Sequence, residues 1–133
     1  MPQYDYKYLL ASALAITTEV VMTNEIDFGF ATPAPNIGGK FGLHVVITTT
    51  FTGAASGVYF WIIHGAATGL TTSSLKHTGM FVLTGATLIN GLHYFIPCGP
   101  YPPLLEFVGA KVTPVSEALA TGALTAWFGT DVD

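Results

Sequence analysis

Between residues 43 and 63 the apolar positions of this chain keep a period of two. Leu43, Val45, Ile47, Thr49 and Phe51 share one face of an extended chain, and His44, Val46, Thr48 and Thr50 share the other. After a run of small residues at 52–57, Val58, Phe60 and Ile62 alternate with Tyr59, Trp61 and Ile63. β-Branched and aromatic side chains dominate both runs and suit a pleated, half-buried surface. Thr-Gly-Ala-Ala-Ser-Gly between them is turn chemistry. The pattern predicts two long antiparallel strands joined by a short loop near the middle of a sheet. Both faces are largely apolar, which predicts a sandwich core on one side and an interface on the other.

The rest of the chain reads as strands laid around that pair. Residues 16–22 predict a strand, 23–24 a bend, and 25–29 a short strand with Ile26 and Phe28 on one face. Pro33, Pro35 and the Gly38-Gly39 pair make 31–42 a loop. Residues 64–76 read as a second loop, which places His64 and His77 at or in loops. Strands follow at 80–84 and 92–96, the latter stopped by Pro97. Pro100, Pro102 and Pro103 then stiffen the chain. A strand at 104–112 contains Gly109, read as a bulge. Residues 113–121 predict a loop with one helical turn at 116–119, and 122–129 the last strand before an acidic tail. The first ten residues fit either an extended arm or a short helix running into 11–15. About eight short strands spaced by turns predict an all-β, antiparallel β-sandwich or barrel. Long crossing loops favour a jelly roll. The expected organisation is an N-terminal arm, 1–15, and a single sandwich domain, 16–133.

Charge changes this picture more than hydropathy does. Only 9% of the 133 residues are charged, against about 25% in ordinary soluble domains. There is no arginine, and the four lysines are Lys7, Lys40, Lys76 and Lys111. A net charge of −4 with so few cations argues against nucleic acid, whose phosphates demand them. Polarity comes from Thr, Ser, Asn and Gly. Such a surface is weakly solvated, which predicts that much of it lies against copies of itself or a larger assembly. A membrane partner is not expected either. Asp5 precedes Lys7, unlike the cationic start of a signal peptide. The uncharged stretch 41–75 is broken by Thr48-Thr49-Thr50 and 53–57, where a spanning helix needs about 20 mostly apolar residues.

Candidate chemistry is sparse. His44, His64, His77 and His93 lack the close ligand spacing of a zinc site, and Pro97 separates Cys98 from His93. Cys98 has no partner for an intrachain disulfide and no base placed beside it in sequence. Glu19, Glu25, Asp27 and Glu106 offer carboxylates, with Glu25 and Asp27 on one strand face. A glycosidase would set two such groups across a cleft among stacking aromatics, for which Tyr59, Trp61, Tyr94 and Trp127 are available. Aromatics in strands are more often core or interface. Gly38-Gly39-Lys40 lacks the spacing of a phosphate loop. No catalytic residue, metal ligand or cofactor is expected.

Three stretches carry a resemblance. The first is Thr23-Asn24-Glu25-Ile26-Asp27-Phe28-Gly29. The second is Ile37-Gly38-Gly39 leading into the strand that ends at Thr50-Phe51. The third is Ile96-Pro97, then Leu104-Leu105-Glu106-Phe107-Val108-Gly109-Ala110-Lys111-Val112, then Thr121-Gly122-Ala123-Leu124-Thr125-Ala126. In order and spacing the chain from residue 20 onward resembles the small capsid cement (decoration) proteins of tailed bacteriophages, of the Bordetella-phage type. It departs at Glu106, where that pattern carries a base, and in Cys98 and the 100–103 proline cluster. The resemblance implies a jelly roll on the outer surface of an icosahedral virion, bridging major capsid subunits and doing no chemistry. The implied partners are the major capsid protein and copies of the chain itself, as a dimer or trimer. Expected interface residues are Tyr4, Tyr6 and Tyr8 of the arm, Pro33, Pro35 and Lys40 of the first loop, Lys76 at the end of the second, and the strand aromatics Tyr59 and Trp61. Two rival classes are a carbohydrate-binding jelly-roll module of a phage tail or cell surface, and a small helical membrane protein.

Overall fold

The alternating patterns become strands that close over one core. A computed structural model of the chain describes residues 9–29, 41–83, 88–98 and 105–130. In chain order the strands are β1 (Leu9–Ala15), β2 (Val20–Val21), β3 (Ile26–Asp27), β4 (Phe41–Gly53), β5 (Gly57–Gly65), β6 (Leu75–Leu83), β7 (His93–Pro97), β8 (Phe107–Val115) and β9 (Leu119–Thr130). They form two antiparallel sheets, ordered β1-β9-β4-β7 and β2-β8-β5-β6, with β3 also paired to β8. The protein is an all-β sandwich. Among the described residues no helix is long and apolar enough to cross a membrane.

The core is built from alternate positions of the four central strands. Leu43, Val45 and Ile47 of β4 and Leu124, Ala126 and Phe128 of β9 face Val58, Phe60 and Ile62 of β5 and Val108, Ala110 and Val112 of β8. All are essentially solvent-free. Each large side chain removed from water in this way contributes about 1.5–3 kcal/mol. Leu10, Ile16, Leu88, Ile96 and Cys98 fill the ends.

Several expectations need correction. The two long strands at the centre of the sequence do not pair. β4 joins β9 and β7, while β5 joins β8 and β6. Repeated register shifts bend β4 from Ile47 to Gly53, and the short link then carries the chain to the other sheet. Thr49 is exposed at that bend instead of sharing the core face. Leu9–Ala15 forms β1 on β9, so it is neither free arm nor helix. His64 and His77 lie inside β5 and β6. Gly109 is no bulge, since β5 and β8 pair in unbroken register from Gly57↔Val115 to Gly65↔Phe107. The helical turn at 116–119 is absent. The chain turns at Ser116, in the left-handed region at φ 76°, and enters β9 at Leu119.

Candidate interaction surface

The outward face of β5 and β6 is where the expected aromatics meet. Tyr59 pairs with Phe81 and Trp61 with Gly79, so their side chains project from the side opposite Val58, Phe60 and Val82. Tyr59 and Trp61 stack at 4.9 Å and 19°, and Phe81 tilts against Tyr59 at 5.0 Å. The Lys76 ammonium stands 4.7 Å from the centre of the Trp61 ring. A side chain at Gly79 would overlap that ring, so only glycine lets Trp61 settle across β6. Leu83 continues the row two residues beyond Phe81. β6 is an edge strand, and Leu75, Phe81 and Leu83 along it are 62%, 40% and 59% exposed. Exposed apolar groups along a sheet edge are a common feature of surfaces that bind another chain.

The other end of the same face is covered. Residues 66–74 leave β5 and fold back over it. The Leu70 side chain lies 3.0 Å from where a Cβ at Gly65 or at Gly109 would stand, which gives Gly109 its reason. The Glu25 carboxylate anchors this strap. It accepts from the Thr68 hydroxyl, from the Gly69 N–H at 3.0 Å and from the Leu70 N–H at 3.2 Å. Burial pushes the Glu25 pKa up, but these three donors outweigh it and hold the carboxyl below its ordinary value. Lys111 is 2% exposed. Its ammonium donates to the Thr72 carbonyl at 2.7 Å and pairs with Glu19 at 3.4 Å. Thr113 donates to the Glu19 carboxylate at 2.8 Å. That bond, with Lys111 nearby, lowers the Glu19 pKa despite partial desolvation.

The four candidate carboxylates divide among three places. Glu25 serves the strap, and Glu19 serves Lys111. Asp27 and Glu106 hydrogen-bond to each other. That bond, desolvation and the Asp27 charge together raise the Glu106 pKa.

The histidines form two separate pairs. His44 Nδ1 lies 2.9 Å from His93 Nε2, and the His44 ring stacks on Trp127 at 5.2 Å on the outward face of the other sheet. His64 meets His77 edge to face at 5.4 Å, and His77 Nδ1 lies 3.9 Å from Cys98 Sγ. Burial pushes the Cys98 thiol up to about 11, which favours the protonated form. Among the described residues no group of three or more His, Cys, Asp or Glu is placed to hold a metal ion.

Of the expected interface residues, Tyr59, Trp61 and Lys76 are brought together. Tyr4, Tyr6, Tyr8, Pro33, Pro35 and Lys40 lie outside the described residues. Leu75 was missed because the strand was expected to begin only at 80, and Phe81 and Leu83, inside that expected strand, because nothing in the sequence paired it with 58–63. Compared with known proteins, the chain matches no protein-family model and no curated protein sequence.

Proposed function

We propose that this chain is a structural virion protein, a jelly-roll cement protein that sits on the outer surface of an icosahedral capsid and bridges neighbouring major capsid subunits. The observation that carries the reading is the uncovered apolar row Tyr59, Trp61, Phe81 and Leu83, running onto an edge strand of a chain that is 9% charged. Such a surface is poorly solvated alone and gains by being covered. The strand orders, β1-β9-β4-β7 and β2-β8-β5-β6, support the jelly-roll form of the sandwich, in which two Greek keys interlock. The resemblance from residue 20 onward points the same way.

In this role the protein does no chemistry and needs no cofactor, nucleic acid or membrane. Its work is adhesion. Each contact is modest, but a lattice presents many at fixed spacing, so self-association as a dimer or trimer multiplies the hold on the shell. The carbohydrate-binding reading draws less support. A sugar platform needs an open ring face, whereas that of Trp61 is shared among Tyr59, the Gly79 backbone and the Lys76 ammonium. The direct test is co-sedimentation of purified chain with capsid shells stripped of it. Saturable binding at lattice stoichiometry is expected, and no binding, with affinity for a glycan array instead, contradicts the proposal.

A further inference from the structure

His64 is 4% exposed near the end of β5. Its Nδ1 lies 3.1 Å from the backbone N of Leu105. A backbone N–H only donates, so Nδ1 is the acceptor and the proton of the neutral ring sits on Nε2. Leu105 lies just ahead of β8, whose first pairs with β5 are Gly65↔Phe107 and His64↔Val108. β3 pairs with the same stretch, through Ile26↔Val108 and Asp27↔Phe107. One imidazole lone pair thus pins the approach to the end of β8 on which β3 and β5 both lean.

We propose that the His64–Leu105 contact is an acid-released latch: protonation of His64 places a second N–H against the Leu105 N–H and frees the lead-in to β8 while the sandwich stays folded. The surroundings favour release over accommodation. Among the described residues, the titratable groups facing His64 are His77 from β6 and, beyond it, Cys98 at the end of β7. Neither supplies a negative charge to a histidinium, since the Cys98 thiol stays protonated well above neutrality. β8 brings Val108 at the paired position, and the nearby Glu106 carboxyl is bonded to Asp27. Burial and His77 accordingly push the His64 pKa below its ordinary 6.5. The sign follows. The closed latch is fully held above about 6.5, the value of a released histidine, and is lost as pH falls from there toward the lowered value of the closed state. Between those values the closed-to-open ratio drops roughly tenfold per pH unit. The device is independent of the capsid role.

The test is amide hydrogen exchange by NMR on the full chain from pH 7.5 to 4.5, with the His64 ring nitrogens followed in the same samples. Leu105 protection, corrected for intrinsic exchange, is expected to fall roughly tenfold per pH unit below about 6.5, while amides of β4 and β9 stay protected. His64→Asn keeps a neutral acceptor at every pH and is expected to flatten the Leu105 profile. His64→Phe is expected to leave Leu105 unprotected even at pH 7.5. The proposal is overturned if Leu105 protection is constant while His64 titrates, if H64N shows the same pH loss, or if β4 and β9 open together with Leu105.

Discussion

The Trp61 ring occupies the space above Gly79 that any other residue at 79 would need for its own side chain. The pair sits directly across β5 and β6 and fixes the tilt of the aromatic row. Gly79→Ala is therefore expected to destabilise the fold by about 1–3 kcal/mol, the usual cost of overfilling a packed site. In a Trp61→Ala background the same change should cost far less, because the clash is gone. Urea titrations of the four variants check this. Equal cost in both backgrounds would place the effect in the backbone and not in the ring.

The strap gives a second prediction. Glu25→Ala removes the acceptor for three donors, and hydrogen bonds to a charged group contribute about 1.5–3 kcal/mol each when retained. The strap opens locally before the sandwich does, so the first sign is faster exchange of the Gly69 and Leu70 amides. Exposed Thr68 makes the same segment the expected site of first proteolytic nicking. An unchanged exchange rate would remove Glu25 from this role.

Acid should weaken the same anchor by a separate route. The folded pKa of Glu25 lies below its ordinary 4.5. Its contribution is present above 4.5 and is lost as pH falls through the lowered value. Wild type is expected to lose stability across that acid window, and Glu25→Gln to lose less. Thermal melts from pH 6 to pH 2.5 read the difference, and parallel curves would contradict the assignment. Glu106 runs the other way. Its pKa is raised by Asp27, so the stability linked to it is present below its ordinary 4.5 and lost as pH rises through the raised value. Asp27→Asn should abolish that opposing limb.

How much of this was legible in the sequence depends on what each residue touches. The strands at 43–51, 58–63 and 122–129 show their period because one face of each, Thr49 apart, is buried. The pairing of β4 and β5 was not legible, since small residues at 52–57 serve a hairpin and a crossing between sheets equally well. Leu75 to Gly79 carries no alternation because β6 is an edge strand with little to bury there. That concealed the first half of β6, and with it the pairing that sets Gly79 under Trp61 and Phe81 beside Tyr59. Gly109 looks like a bulge until Leu70 is seen against it, a contact between residues far apart in the chain. The His64–Leu105 bond spans 41 positions, and only the fold brings it together.

The apolar row makes a prediction that separates folding from binding. Phe81 and Leu83 are exposed in the single chain, so Phe81→Ser with Leu83→Ser should leave the melting temperature nearly unchanged. If the row is a contact surface, each lost side chain withdraws about 1.5–3 kcal/mol of burial in the complex, and affinity for stripped shells should fall at least tenfold. A fall in stability without a fall in affinity would assign these residues to the fold.

Cryo-electron microscopy of intact particles carrying this chain tests the central claim most directly. The account predicts density outside the main shell, repeating with the lattice, into which the two sheets fit with the β6 face against a neighbouring subunit. A bare shell, with the chain at a tail or absent from the particle, would contradict it.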